Sequence, residues 1–281
     1  MMATGEGAVA VLNALLEART GQQIAANRTW RIDTALRPLL AGMGLETVDD
    51  LCAQLLAGKG EVQTLGDRIV DALLNQETSF FRDTGVIEAA AEAAVAVATE
   101  RGAGHVRIWS AGCSTGQEPL SLAMYFAEKA EALRPEILAT DVSERALARG
   151  RTGCYTQFEI QRGLPVRRMM RWFDSAGADW SAETELVRMV TFRRHNLVAD
   201  PLPAGQFDAI FCRNVLFYLA PSRRGEVLDR LAGALRPGGL LVLGAGETVI
   251  GQSERFRPSQ RFRGLYELAS AAAPAQVYNL R

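Results

Sequence analysis

The residues that could do chemistry in this chain stand in short polar stretches between apolar segments. One such stretch, IWSAGCSTGQEPLSLAM, begins like a buried strand, becomes small and polar between Gly112 and Gly116, and then continues with helical periodicity. A loop of this kind, between a strand and a helix of an α/β unit, binds the phosphate or ribose end of a ligand through free backbone N–H groups. We therefore predict a nucleotide-like ligand at this loop.

The residues of the loop restrict which nucleotide it could bind. It has neither the G-x-G-x-x-G pattern of dinucleotide-binding proteins nor the terminal Lys of a phosphate-binding loop. Asp141 ends the next apolar segment, ILATD, at a spacing where an acidic side chain accepts two hydrogen bonds from a ribose diol. Together they predict an adenosine moiety without phosphates. The alternative is that the glycines only form a turn and that Asp141, beside Ser143, caps the following helix.

A third polar stretch, NQETSFFRD, joins a helical region to the region that contains this loop. It places Glu77, Thr78, Ser79 and Arg82 around two phenylalanines. The polar groups could serve a ligand at the junction. In the alternative interpretation, the phenylalanines anchor a core and the polar groups cap a helix.

A fourth stretch, FDAIFCRNVLFYL, is an apolar segment that ends in Arg213 and Asn214 and is followed by Tyr218. Ligands of open α/β sheets bind outside the carboxyl ends of the strands. Polar residues at that edge therefore favour a ligand site, although Tyr218 could also be a core aromatic residue.

Histidine and cysteine chemistry is not indicated. His105 and His195 have no Ser, Cys or metal-ligand partner at an informative spacing, which argues against histidine-based hydrolysis and catalytic zinc. The four cysteines lie far apart without a CxxC pair, so we predict neither a disulfide framework nor a metal site.

Composition sets further bounds. The chain has 281 residues, of which 48% are hydrophobic and 22% charged, so it could form one or two globular domains. Its formal charge is −1 and it has no basic tail, which gives no support to nucleic-acid binding. No apolar run reaches the roughly 18 residues of a membrane span. We expect a cytoplasmic protein that does not insert into a membrane.

The elements that must position these residues fall into two groups. Before about residue 100, apolar residues recur three or four apart, as in WRIDTALRPLLAGMG and LGDRIVDALLNQ, which predicts helices. After it, short apolar runs alternate with helical segments, which predicts a mostly parallel sheet covered on both faces. The segment from 155 to 192 interrupts this alternation. There, RWFDSAGADW and ETELVRMVTF resemble hairpins, so we predict a small antiparallel insertion.

The ordered set of motifs resembles the CheR family of chemoreceptor glutamate methyltransferases over nearly the whole chain. The matching blocks are ETSFFRD, IWSAGCSTGQEPLSLAM, ILATDVSERALARGRTGCY, RGLP, VTFRRHNL, FDAIFCRNVLFYL, LRPGGLLVLGAGET and FRGLYEL. The resemblance implies an α/β, Rossmann-like, S-adenosylmethionine-dependent methyltransferase domain over 84–281, with the β insertion at about 155–192, after an all-helical domain over 1–83. It further implies methyl transfer to receptor glutamates, with S-adenosylhomocysteine as the other product.

The resemblance also implies roles for single residues. Thr78 and Arg82 would help to close the cofactor site, and Arg82 and Tyr218 would face the transferred methyl group and the substrate. By the same resemblance, Glu118 and Asp141 would bind the polar ends of the cofactor, beside the loop glycine Gly112. Asn196 and Leu197 would border its adenine, and Arg213 and Asn214 would line its methionine end.

Two positions depart from the family pattern. The family usually has Asn two residues before the motif Thr, where this chain has Gln76, and Asn75 is the alternative for that contact. The N-terminal helix offers Arg28, Arg31 and Arg37, a less dense basic face than is usual for docking to acidic receptor helices. The insertion is short beside those of family members that hold a receptor tail peptide, so we expect methylation not to depend on such a tail.

Three functions are compatible with this pattern. The first is a monomeric protein-glutamate O-methyltransferase that acts on the cytoplasmic domain of chemoreceptors. The second is a cofactor-binding or receptor-docking module without catalysis, if the change at Gln76 spoils the site. The third is a methyltransferase for nucleic acid or a small molecule, although RNVLFY lacks the Asn/Asp-Pro-Pro-aromatic signature of enzymes that methylate base amino groups.

Overall fold

The computed structural model describes residues 4–58, 62–129 and 134–269. In chain order, the α-helices are α1 (Glu6–Thr20), α2 (Trp30–Met43), α3 (Val48–Leu56), α4 (Val62–Leu73), α5 (Thr84–Glu100), α6 (Gln117–Lys129), α7 (Glu144–Thr152), α8 (Gln157–Gln161), α9 (Val166–Trp172), α10 (Thr184–Arg188) and α11 (Pro221–Ala234). The strands are β1 (His105–Ala111), β2 (Arg134–Asp141), β3 (Cys154–Thr156), β4 (Phe173–Ala176), β5 (Asp179–Ala182), β6 (Val190–Arg194), β7 (Phe207–Cys212), β8 (Leu235–Leu243), β9 (Phe256–Pro258) and β10 (Tyr266–Leu268). Single 3₁₀ turns occur at Ala26–Arg28 and Leu216–Tyr218.

The first four α-helices pack together around one core, as their periodicity predicts. In α1 the buried residues recur every fourth position, at Ala8, Leu12, Leu16 and Thr20, so one face of the helix is apolar. That face joins the buried faces of α2, α3 and α4 in one hydrophobic cluster. The helical N-terminal region expected from the sequence is confirmed.

The main sheet has the order β6-β2-β1-β7-β8-β10-β9. The strands from β6 to β8 are parallel, while β10 pairs antiparallel with both β8 and β9. Strand β7 is buried along its whole length, which explains why it is apolar except for Asp208, whose carboxylate pairs with Arg101 at 3.0 Å. One hydrophobic cluster, with α5 and α6, covers one face of the sheet, and another, with α11, covers the other. The predicted α/β class is therefore confirmed.

A second, three-stranded antiparallel sheet has the order β3-β5-β4 and lies between residues 154 and 182. It packs on Phe80, whose ring centre lies 5.0 Å from that of Tyr155 and 5.4 Å from that of Phe173. The hairpin predicted for RWFDSAGADW is present as β4 and β5.

The prediction of a hairpin for ETELVRMVTF is wrong. This segment lies within the predicted insertion at 155–192. Residues 184–188 form α10, and β6 runs parallel to β2 at the edge of the main sheet. The reason is that Leu186 and Val190, four positions apart, are buried in the core of the main sheet together with α6. The antiparallel sheet consequently ends at Ala182.

The helical region contacts the α/β region through its main chain as well as its side chains. The amide of Gln23 donates to the carbonyl of Tyr218 at 2.8 Å, and the amide of Ala220 donates to the carbonyl of Gly21 at 2.9 Å. These bonds hold the segment after α1 against the loop after β7. In the described ranges, no helix combines the length and the apolar character needed to cross a membrane.

Candidate functional site

A cleft of about 880 Å³, including its solvent-open mouth, lies at the carboxyl ends of β1, β2 and β7. It is closed on one side by the segment that follows α4. All eleven residues assigned from the sequence line this one cleft: Gln76, Thr78, Arg82, Gly112, Glu118, Asp141, Asn196, Leu197, Arg213, Asn214 and Tyr218.

The loop after β1 is built for close backbone approach. Gly112 has φ 82°, and a Cβ atom there would collide with Cγ2 of Val215, so a glycine is required. The amides of Gly112 and Cys113 donate to the carbonyl of Thr140 at 2.8 and 2.9 Å. These bonds fix the loop against the end of β2, next to Asp141.

Asp141 accepts hydrogen bonds from the backbone on both sides of the loop and still has an acceptor site for a ligand. Its Oδ2 accepts from the amide of Ser114 and its Oδ1 from the amide of Ser143, both at 2.9 Å. Burial raises the pKa of this carboxyl group, and the backbone hydrogen bonds oppose that rise. The Val142 amide also interacts with this carboxylate, which has about four lone-pair sites, so at least one site remains for a ligand hydroxyl. The cap of α7 is Ser143, whose Oγ accepts from the amide of Ala146, and not Asp141.

Arg213 is the buried cation of the site. Its Nη1 lies 3.2 Å from Glu118 Oε2, and its Nη2 lies 2.7 Å from Asp83 Oδ2 and 3.0 Å from the carbonyl of Arg82. Its Nε is buried and has no hydrogen-bond partner among the described residues. The bonds of its two Nη atoms hold Arg213 in the wall of the cleft.

Asn214 and the residues after it are held by a carboxylate that the sequence analysis did not single out. Glu247 Oε2 accepts from the amides of Asn214 and Gly244 at 2.7 and 2.9 Å. Its Oε1 accepts from the amides of Val215 and Leu216 at 2.8 and 2.7 Å. Asn214 has φ 60°, in the left-handed region, and these bonds hold it there.

Asn196 and Leu197 form the wall near the helical region. Asn196 Oδ1 accepts from the amide of Val198 at 2.9 Å, and its Nδ2 donates to the carbonyl of Arg19 at 2.7 Å. The Asn196 amide is thus engaged by the protein, so its part in a ligand site is to shape the wall. His195 also lines the cleft, and burial lowers its pKa.

The segment after α4 contributes Gln76, Thr78 and Arg82. The Gln76 side chain reaches Ser143, with Nε2 donating to Oγ at 3.1 Å, and the Gln76 carbonyl accepts from Ser114 Oγ at 2.9 Å. Gln76 therefore closes the cleft over the loop that Asp141 supports.

Arg82 pairs with a glutamate of its own segment, since its Nη1 lies 3.1 Å from Glu77 Oε2. The other oxygen of Glu77 pairs with Arg162, between α8 and α9. Close by, Gly163 has φ 97°, and a Cβ atom there would collide with the carbonyl oxygen of Phe80. The antiparallel sheet and its helices are thus fastened to the segment that carries Arg82.

Tyr218 stands between the cleft and a second cavity of about 1,110 Å³, which also includes open solvent. Gln22, Asn75 and Tyr218 line both. The second cavity is also lined by Arg28 and Arg31. Asn75, the alternative cofactor contact, turns its amide to Tyr218 and Arg31.

Comparisons with known proteins show which family the chain is similar to. The family model described as "CheR methyltransferase, SAM binding domain" matches residues 76–264. The chain is 35% identical over 249 residues to the chemotaxis protein methyltransferase of Vibrio parahaemolyticus, covering 86% of this chain and 89% of the relative. It is 31% identical over 258 residues to chemotaxis protein methyltransferase 1 of Pseudomonas aeruginosa, covering 89% and 93%.

The sheet with its cleft at the carboxyl edge defines an S-adenosylmethionine-dependent methyltransferase, and S-adenosylmethionine is its cofactor. The acceptor site that remains on Asp141 suits a ribose hydroxyl, and the Arg213 guanidinium lines the same cleft, so the residues present fit that cofactor. The chain belongs to the CheR methyltransferase family.

The sequence analysis missed two residues that shape the site, Glu247 and His195. Glu247 follows β8, whose carboxyl end lies beside that of β7, in the block LGAGET. An acidic residue at the carboxyl end of a predicted central strand was the available signal. His195 directly precedes Asn196, but nothing in its spacing indicated burial.

Proposed function

We propose that this protein transfers a methyl group from S-adenosylmethionine to glutamate side chains of chemoreceptors, forming glutamate methyl esters in chemotaxis adaptation. When bound, the cofactor supplies a methyl group activated by its sulfonium. A glutamate side chain with a pKa of about 4.3 is already ionised at neutral pH, so the chain need not supply a general base. The names of the relatives support a role in chemotaxis.

The observation that carries the proposal is the junction of the two cavities at Tyr218. The cofactor cleft lies on one side of Tyr218 and the cavity with Arg28 and Arg31 on the other. Two guanidinium groups attract and orient an anionic side chain better than a neutral one. A glutamate that enters through the second cavity would meet the phenol of Tyr218 before it meets the cofactor.

Arg82 supports the same direction of approach. It lines the cofactor cleft, and its guanidinium already holds the carboxylate of Glu77 at 3.1 Å. A substrate carboxylate would bind the Arg82 guanidinium together with Glu77 or in place of Glu77. Orientation by a planar guanidinium stabilises the ground state as well as the transition state, so the gain in rate must come from geometry.

The partner in this proposal is the cytoplasmic domain of a chemoreceptor. The methyltransferase would act as a cytoplasmic monomer, without nucleic acid and without membrane insertion. The arginines of the second cavity suit receptor helices that carry acidic residues near their methylation sites.

The test is transfer of radiolabelled methyl from S-adenosylmethionine to purified receptor cytoplasmic domains. We expect label that is released by mild base, as an ester is, and that is lost when the accepting glutamates are changed to alanine. The Asp141→Ala variant serves as the control for cofactor-dependent transfer. Base-stable label, or cofactor binding without transfer to any receptor domain, would overturn the proposal.

A further inference from the structure

Three side chains form a line from the second cavity to the cofactor cleft. Arg31, on α2, donates from Nη2 to Asn75 Oδ1 at 2.9 Å. Asn75, which follows α4, donates from Nδ2 to the phenolic oxygen of Tyr218. The guanidinium carbon of Arg28 lies 5.5 Å from the centre of the Tyr218 ring. The phenol is thus held by two parts of the helical region, although it belongs to the loop after β7.

The hydrogen-bonding capacity of these groups fixes the direction of donation, from Arg31 to Asn75 and from Asn75 to Tyr218. A guanidinium only donates hydrogen bonds, so the oxygen of the Asn75 amide must face Arg31. The nitrogen of the same amide then faces Tyr218, and it too only donates. The phenolic oxygen of Tyr218 is consequently the acceptor in this pair. Its own proton is not used by Asn75 and is available to a third group.

We propose that Arg31 and Asn75 set this direction so that Tyr218 donates its proton in a hydrogen bond to the substrate. This inference rests on the proposed function. A carboxylate is an acceptor-only group at neutral pH and fits a donating phenol. A neutral amine, the form that can attack a methyl group, would give its single lone pair to the phenol and have none left for the reaction. Asn75 is therefore a positioning residue that favours a carboxylate as the methyl acceptor, and it acts through Tyr218.

The variant Asn75→Asp reverses the direction of the hydrogen bond to Tyr218 while the side chain keeps almost the same size. A carboxylate at position 75 still accepts from Arg31, but it also accepts the phenolic proton and withdraws it from the substrate. We expect kcat for the receptor domain to fall about tenfold or more, while S-adenosylhomocysteine affinity changes by less than about twofold. Asn75→Ala removes the hydrogen bond to Tyr218 without reversing it. Its kcat should therefore lie between those of the wild type and Asn75→Asp. A packing role for Asn75 would instead make the alanine variant the slower one.

A double-mutant cycle with Tyr218→Phe separates the effect of the reversed hydrogen bond from the effect of the added negative charge. If the effect passes through the phenolic proton, Asn75→Asp lowers kcat in the wild type and changes it little in the Tyr218→Phe background. An equal fall in both backgrounds would mean repulsion of the substrate by the new charge, and it would overturn the inference. Should Asn75→Asp not fold, Asn75→Ala carries the same cycle, because it removes the amide without adding a charge.

The same preparations distinguish the two proposals. If the wild type forms no base-labile ester on a receptor domain, the proposed function fails and this inference fails with it. If the wild type forms the ester and Asn75→Asp keeps kcat within about twofold, only the inference fails, because the hydrogen bond to Tyr218 is then without effect on the rate. The confirming result is ester formation by the wild type, a fall for Asn75→Asp, and a much smaller fall in the Tyr218→Phe background.

Discussion

The carboxylate of Glu247 offers a direct test of how the loop after β7 is held. It accepts four backbone hydrogen bonds, two at each oxygen, from residues at the ends of β7 and β8. In the variant Glu247→Gln, one oxygen is replaced by an NH₂ group, which faces two N–H donors and can accept from neither. Two charge-assisted hydrogen bonds are lost, and the other two lose the charge of their acceptor.

The magnitude follows from these contacts. Hydrogen bonds to charged groups contribute about 1.5–3 kcal/mol each, so two of them set an upper range of about 3–6 kcal/mol. Glu247 is half-buried, and water can replace part of what is lost. We therefore expect the free energy of unfolding to fall by about 2–4 kcal/mol. Because the same loop carries Arg213 and Asn214, S-adenosylhomocysteine should bind about tenfold more weakly, which is about 1.4 kcal/mol.

Denaturant unfolding and calorimetric titration of S-adenosylhomocysteine measure the two effects. Glu254→Gln is the matched control, because Glu254 is an exposed glutamate a few residues later in the same segment. It should change neither quantity by more than about 0.5 kcal/mol. If Glu247→Gln behaves like Glu254→Gln in both measurements, the carboxylate does not hold the loop, and the reasoning is refuted.

Four further predictions concern the cleft, a buried histidine and the receptor. Arg82→Ala should lower methyl transfer about 10²-fold, about 2.7 kcal/mol, with cofactor affinity changing by less than about 1 kcal/mol, and Arg82→Lys should restore little because it lacks the planar fork. Asp141→Ala should weaken calorimetric binding of S-adenosylmethionine by about 1.5–3 kcal/mol. Burial lowers the pKa of His195, so its contribution to stability is present above the unfolded pKa of about 6.5 and is lost as pH falls through the lower folded pKa. His195→Gln should therefore flatten the decline of the unfolding free energy below about pH 6.5. Deleting a receptor's C-terminal tail should leave the methylation rate nearly unchanged.

Each of these has an outcome that contradicts it. For Arg82, a joint loss of melting temperature, cofactor affinity and activity would indicate that it only holds the structure together through its pair with Glu77. For Asp141, unchanged affinity would remove it from the ribose site. For His195, the comparison is His105→Gln at the surface, and equal flattening by both variants would exclude burial as the cause. For the tail, a tenfold or larger loss of rate on its deletion would indicate that the insertion holds it.

The main sheet could be predicted because its signals are local. FDAIFC is apolar except for Asp208, as suits a strand buried on both faces, and Arg213 and Asn214 follow it at the edge where ligands bind. Position 141 could be assigned because the carboxyl ends of neighbouring parallel strands come together. For these residues, the order of elements along the chain was enough to place them in one cleft.

The remaining contacts depend on partners that are distant in sequence. Residues 183–192 were misassigned because a short apolar segment fits a hairpin as well as a helix and an edge strand until its burial partner is known. The role of Glu247 depends on the amides of a loop 31 to 33 residues earlier. The contact of Asn75 with Tyr218 spans 143 residues. Periodicity within a window of the chain contains no information about such pairs.

Because hydrogen bonds connect the segment after α1 with the loop after β7, the cofactor cleft is formed jointly by the helical region and the α/β region. Thr20 and Gln22 line it from the helical region, and Asp141 and Asn214 line it from the sheet. A ligand that contacts both parts binds only when they are docked, so occupancy and docking are one coupled equilibrium. At a hundredfold excess over its dissociation constant, such a ligand adds about 2.7 kcal/mol to the docked state. Protease cleavage between α4 and α5 should therefore slow as cofactor occupancy rises, because the bound cofactor reversibly links the N-terminal helices to the main sheet.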